Sequence, residues 1–254
     1  MRVICAHGDP ATPDFRFVLG AYFLGVLAIK LLAIETATEA CSAAVWCDGQ
    51  VCERYALAAR AQGRLILGMV DAVLAEAGLT LQQLDGLAFG RGPGAFTGVR
   101  IATGVVQGLA FGADLPVAPV SSLAALAQGA QRQFGAERVV AALDARMNEI
   151  YWGAYERDAT GLMVEAGVEQ VGNVKTLSVP AGAWFGVGSG FVAYGAELRA
   201  RMGAALSGLA PECLPQARDV AMLGAAVLAR GAGVSADQAL PVYLRDNVVQ
   251  TPGG

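Results

Sequence analysis

Histidine is nearly missing from this chain. Of 254 residues only His7 carries an imidazole, so nothing downstream of it can be a histidine general base or a histidine-ligated metal site. Cysteine is present but unpatterned. Cys5, Cys41, Cys47, Cys52 and Cys213 form no C-x-x-C pair, and an odd count argues against a disulfide framework. The cytoplasm is the simplest home for such thiols. Charge is scarce too, at 16% with a net charge of −4, which leaves no global basic field to draw the chain to nucleic acid or an anionic membrane. A nucleic-acid role would need a local patch or a partner. The longest apolar run, Phe17 to Ile29, has thirteen residues, where a bilayer span needs about 20.

Small apolar residues are what the chain has in excess. Hydrophobic residues make up 55% of it, much of that alanine, and glycine contributes 33 positions. The length suits one large domain or two small lobes and is enough to bury a sizeable core. Residues 1–28 stand apart from the rest of the chain, being polar up to Arg16 and then entirely apolar until Lys30. A start codon assigned too far upstream is the first reading of this segment, an amphiphilic extension the second and a targeting signal the last, because no small-residue cleavage site comes after the run.

From Leu31 the pattern is regular. Leu31-Leu32-Ala33-Ile34 reads as a buried strand ending in Glu35-Thr36, and the runs Cys41 to Trp46 and Gln50 to Leu57 flank Asp48-Gly49, a strong hairpin signal. Leu65, Ile66, Met69, Val70, Val73, Leu74 and Ala77 recur at helical spacing and Gly78 closes the helix. Leu84 to Phe89 then leads into Gly90-Arg91-Gly92-Pro93-Gly94-Ala95-Phe96-Thr97-Gly98-Val99-Arg100, read as strand, glycine loop and helix, with Thr97 placed to cap the helix start. Such a loop is either an anion cradle or a tight turn that lets strand and helix pack closely. It has neither the lysine of a P-loop nor the spacing of a dinucleotide fingerprint. Val117 to Val120 is a short strand, Ser121-Ser122 an N-cap, and an alanine-rich helix runs to about Phe134.

The opening theme then recurs. Val139 to Leu143 is an apolar strand ending in Asp144, succeeded by Glu149 to Arg157, a turn at Ala159-Thr160-Gly161 and a strand from Leu162 to Val171. Val187-Gly188-Ser189-Gly190 reads as a glycine turn after a strand, and Asp219 to Arg230 as a helix that packs back on the first half. Two copies of acid-tipped strand, hairpin, helix, strand and helix predict an α/β, duplicated ribonuclease-H-like fold in two lobes, residues 29–135 and 136–254. Actin, the Hsp70 ATPase and the sugar kinases (the ASKHA group) share that plan, and fold alone does not set function.

Leu32 to Ser42, Gly90 to Ile101, Leu143 to Met147 and Pro241-Val242-Tyr243-Leu244-Arg245 together resemble the TsaB (YeaZ) family, in this order and over about Ile29 to Val248. The resemblance implies a non-catalytic subunit of the machinery that makes threonylcarbamoyladenosine in tRNA. Its partner would be TsaD, a paralogue that uses a histidine-rich metal site and transfers threonylcarbamoyl to N6 of the adenosine beside the anticodon. TsaE, an ATPase, completes the set. The resemblance also implies a homodimer when TsaD is absent, tRNA met only through the complex, no membrane contact, and no tightly bound cofactor, with ATP or ADP at the partner interface. One departure is Gln62-Gly63, where relatives commonly carry a histidine and a small hydroxyl residue.

Two sets of residues are candidate sites. Glu35, Thr36, Gly92, Gly94, Asp144 and Gly188 occupy positions that meet nucleotide in other members of the fold; they form a vestigial nucleotide site or serve as strand-end caps, and Ala145 with the degenerate turn at 188 to 190 favours caps. Leu65, Met69 and Val73 on one helix and Val99, Ala102, Val105 and Gly108 on the next form a partner interface, with Gly104, Gly108 and Gly112 letting another backbone approach. Core packing is the competing reading of that glycine row. Asp144 and Arg146 are close enough to pair. A nucleotide-dependent kinase or ATPase built on Glu35, Asp144 and the glycine loops is the alternative function, and a metallopeptidase is disfavoured by the missing histidines.

Overall fold

The computed structural model describes residues 29–58 and 60–245; the reading of residues 1–28 lies outside them. The first half runs β1 (Lys30–Glu35), β2 (Ala40–Cys47), β3 (Gln50–Leu57), α1 (Gln62–Ala77), β4 (Gly86–Gly90), α2 (Phe96–Ala113), β5 (Val117–Val120) and α3 (Ser122–Phe134). The second runs β6 (Arg138–Arg146), β7 (Glu149–Arg157), β8 (Met163–Glu165), β9 (Gln170–Gly172), β10 (Trp184–Val187), α4 (Ser189–Ala193), α5 (Gly195–Met202), β11 (Leu206–Ala210) and α6 (Ala217–Ala229).

Local chemistry explains most boundaries. Asp48 and Gly49 both take positive φ, which gives the β2–β3 turn the twist a hairpin needs. Gly78 ends α1 in the left-handed region with its N–H on Leu74 and Ala75. Ser121 caps α3 by accepting from the N–H groups of Leu123 and Ala124. Thr97 does not cap α2. That role falls to Ala95, which has no side-chain cap, and Thr97 sits exposed in the first turn.

The duplication is plain in the sheets. The first has the order β3-β2-β1-β4-β5, and the second, taken from its other edge, β8-β7-β6-β10-β11. In each, the first strand pairs antiparallel with the hairpin strand after it and parallel with the strand after the crossover. The fold is α/β, two-lobed and ribonuclease-H-like. The strand expected over Leu162 to Val171 is broken into β8 and β9, which share the outer edge of β7. Between them Glu169 turns its carboxylate inward to accept the hydroxyls of Ser121 and Tyr155.

Each sheet is covered partly by a helix from the other half. β1 alternates strictly: Leu32 and Ile34 face α1 and α2, while Leu31 and Ala33 face α6. The α6 face of the first sheet is built from Ala33, Ala44, Ala88 and Ala118 against Ala217, Ala221 and Ala225. A Cβ on Gly224 would lie 2.6 Å from that of Ala88, so the alanine-rich composition allows a close helix-on-sheet approach. Conversely α3, which comes after the first sheet in sequence, packs Leu123, Leu126 and Ala130 onto β6 and β7.

Side chains of the first half hold the start of α6. Ser42 Oγ accepts from the Ala217 N–H at 2.9 Å and Glu53 Oε1 from the Arg218 N–H at 3.1 Å. Arg132 of α3 grips Asp219 of α6 with two hydrogen bonds of 2.9 and 2.8 Å, and Asp219 is only 2% exposed. Burial pushes the Glu53 carboxyl up to about 7, against the pull of the Arg218 N–H and guanidinium. A carboxyl that binds its proton more tightly folded than unfolded makes the protein lose stability as pH rises from the ordinary value near 4.5 to about 7. Glu53→Gln keeps an oxygen for the Arg218 N–H and removes the charge. Urea denaturation is expected to show it more stable than the parent at pH 8 by about 1–3 kcal/mol, and equal at pH 4.5. A constant difference across that range would refute the assignment.

Candidate functional site

The predicted nucleotide residues form two separate groups. In the first, Glu35 at the end of β1 is completely buried. Its Oε1 accepts from the Ala37 N–H at 2.6 Å and its Oε2 from the Ser122 hydroxyl at 2.8 Å. Burial raises its pKa, and these donors pull the other way. Thr36 donates its hydroxyl to the Gly98 carbonyl at 2.7 Å. A Cβ at Gly90 would collide with the Glu35 carboxyl, one at Gly94 with Ala37, and one at Gly98 with the Thr36 carbonyl. The four-residue spacing of these glycines therefore seats the loop and the start of α2 directly on the β1–β2 turn. Gly92 faces the chain's last described segment, with 3.1 Å between its would-be Cβ and the Val242 carbonyl.

The second group repeats this on a smaller scale. Cβ atoms on Gly188 and Gly190 would run into Ala142 near the end of β6. The Asp144 carboxylate accepts the Arg146 N–H at 2.8 Å and pairs with its guanidinium at 3.0 Å, holding a turn in which Arg146, Met147 and Asn148 all have positive φ. Both acids thus brace the turn after their strand. No hydrogen bond among the described residues joins Glu35 or Thr36 to Asp144 or Gly188.

A third region is the outer surface of α1 and α2. Helix phase divides the predicted interface residues. Val73, Val99 and Ala102 point into the core, Leu65, Met69 and Val105 are half-buried, and Gly108 is exposed. The first three are buried within the chain: Val73 and Ala102 belong to the layer between helices and sheet, and Val99 packs its methyls toward Gly92 of the glycine loop. The periodicity gave the apolar stripe, and that stripe faces inward. Outside it, Gly68, Gly104, Gly108 and Gly112 have nothing within 4 Å of a would-be Cβ, and Leu67 and Phe111 are 53% and 86% exposed. No element of the described chain covers this glycine row, so intramolecular close packing does not explain it. Among the described residues no helix is long and apolar enough to cross a membrane.

Comparison with known proteins fits this architecture. A family model described as "TsaD: tRNA N6-adenosine threonylcarbamoyltransferase" matches residues 56–252. The chain is 43% identical over 224 residues to the tRNA threonylcarbamoyladenosine biosynthesis protein TsaB of Escherichia coli, covering 87% of this chain and 96% of that one. It belongs to the TsaB family. Within the family, the TsaB of Haemophilus influenzae is 55% identical over 130 residues, 51% of this chain and 55% of that protein. The solved structure of YeaZ from Pseudomonas aeruginosa superposes with a TM-score of 0.80 at 49% identity, covering 85% of this chain and all of that one. The family model, which carries the TsaD description, places the chain in that wider group as well.

Membership gives meaning to two features. Gln62 is buried and donates its amide to the Thr38 carbonyl at 2.8 Å, tying α1 to the β1–β2 turn. The closing motif Pro241 to Arg245 is a strap. Its Val242 N–H bonds the Arg91 carbonyl of the glycine loop at 2.8 Å, Tyr243 accepts from Arg100 of α2, and Arg245 reaches the Ala145 carbonyl and the Glu149 carboxylate on the β6–β7 hairpin. Sequence reasoning missed the contacts of this strap, the bond from Ser122 to Glu35 and the Arg132–Asp219 pair, because each joins residues 87 or more positions apart.

Proposed function

We propose that this chain is a non-catalytic subunit that binds and supports TsaD in forming threonylcarbamoyladenosine in tRNA, docking through the outer face of α1 and α2. The supporting observation is the uncovered row Gly104, Gly108 and Gly112 beside exposed Leu67 and Phe111. Small residues in a row let a second helix pair approach closely, and exposed apolar area of this kind marks an association surface. Alone, the chain pairs with a second copy through the same face. In this reading TsaE joins the TsaD complex, tRNA is met through that complex, ATP or ADP sits at the partner interface and the protein works in the cytoplasm. The interior use of Glu35 supports a role without phosphoryl transfer, since both its carboxylate oxygens are occupied by Ala37 and Ser122.

The test is co-purification with TsaD and TsaE, then reconstitution of tRNA modification with and without this chain. Modification is expected only when it is present; activity independent of it would end the reading. Calorimetry of the isolated chain with ATP and magnesium addresses the kinase alternative, for which tight binding and turnover are the required result.

A further inference from the structure

Arg100 is arranged more tightly than an exposed arginine needs to be. Its guanidinium carbon lies 3.8 Å from the centroid of the Phe96 ring, one turn back on α2, and its Nε donates to the Tyr243 hydroxyl at 2.9 Å. The two rings lie 5.8 Å apart, and they remain 51% and 43% exposed. Tyr243 in turn is fixed on either side, by the bond of Val242 to Arg91 and by the bonds of Arg245 to the β6–β7 hairpin. No carboxylate among the described residues pairs with Arg100. A planar guanidinium already aligned by a ring and a hydroxyl has lost most of its rotamer freedom before any ligand arrives. Its terminal nitrogens then suit two-pronged recognition of an oxyanion.

The surroundings choose between oxyanions. α1 and α2 together contain two cations, Arg64 and Arg100, and the surface running from Arg100 along α2 is Gly104, Gly108 and Phe111. A nucleic-acid backbone calls for a track of cations, whereas one aligned arginine with exposed aromatics at the end of an apolar face has the composition of a protein-interface anchor. We propose that Arg100, aligned by Phe96 and Tyr243, is the polar anchor of the α1–α2 face and receives a carboxylate of the protein that docks there. This rests on the α1–α2 face being the docking face for TsaD and adds to it the group that sets orientation and partner choice. It also gives a joint role to two of the stretches that carry the family resemblance, since Arg100 lies in one and Tyr243 in the other.

The experiment measures the affinity of the full chain for TsaD with Arg100→Glu, Arg100→Lys and Tyr243→Phe, each checked for folding by its melting curve, with Gly108→Leu as a probe of the face itself. Arg100→Glu is expected to weaken binding at least about 100-fold and Arg100→Lys about 10-fold. Tyr243→Phe, which leaves the ring and removes the acceptor, should cost about 3-fold or more. Replacing the matching acid of TsaD by arginine should restore binding to Arg100→Glu. Arg100→Glu within about twofold of the parent, while Gly108→Leu abolishes the complex, would overturn the anchor and leave the face standing. If neither changes binding, the face fails and the anchor with it. Retained TsaD binding with loss of tRNA binding by the assembled complex would assign Arg100 to phosphate and overturn the proposal. If Arg100→Glu does not fold, a lysine variant equal to the parent decides against it.

Discussion

Gly98→Ala is expected to destabilise the protein by about 3 kcal/mol or more, lowering its melting temperature by about 6–12 °C. On helix propensity alone the change should help, since alanine is favoured over glycine by about 1 kcal/mol inside a helix. Tertiary structure reverses the sign. A Cβ on Gly98 would collide with the Thr36 carbonyl oxygen and lie 3.1 Å from its carbon, and both partners are backbone that no rotamer change can move. Relief would require α2 to lift off the β1–β2 turn and would strain the bond from the Thr36 hydroxyl to the Gly98 carbonyl. Gly104→Ala is the control in the same helix. Nothing lies within 4 Å of its Cβ position, so propensity acts unopposed and should yield a gain of about 0.5–1 kcal/mol. Thermal denaturation of the two variants beside the parent reads the contrast, and a neutral or stabilised Gly98→Ala would refute the close seating of α2.

Gly108→Leu should leave the fold intact and break the complex. The Cβ position is open, so helix propensity acts unopposed as at Gly104, and the melting temperature should match the parent or rise by about 1–4 °C. On a docked helix pair the same side chain would hold two backbones apart and forfeit the packing along the row. Affinity for TsaD, and self-association of the isolated chain, should fall more than about 100-fold. Gel filtration with a titration of TsaD separates the outcomes, because a normal melt with an unchanged complex would show that docking takes place elsewhere.

Much of the local structure could be read directly from the chain. Asp48-Gly49 marked the first hairpin, Ser121 the start of α3 and Gly78 the end of α1, because turns and caps are short-range problems that one or two residues solve. The likeness of the segments leading into Glu35 and Asp144 marks the duplication, and both lie on the strand that pairs antiparallel with its hairpin partner. Phase was harder. The apolar stripe Leu65 to Leu74 was legible, but a stripe marks the face a helix buries, and Val73, Val99 and Ala102 accordingly went inward. The face left uncovered carries glycines and exposed Leu67 and Phe111, and that it is uncovered among the described residues follows only from how the helices pack.

By itself the sequence determined the fold class, the duplicated plan, the family and the lack of histidine chemistry after His7. Each of these comes from residue type and short-range order. Tertiary structure alone decided that the glycine loop is filled by the chain's own first strand, that Glu35 serves Ala37 and Ser122, and that α3 and α6 cover each other's sheets. It likewise decided that Tyr243 aligns Arg100 across 143 positions of chain. The physical reason is range: hydrogen-bonded turns and hydrophobic periodicity act over a few residues, whereas which empty space a glycine faces is settled only when distant segments pack together.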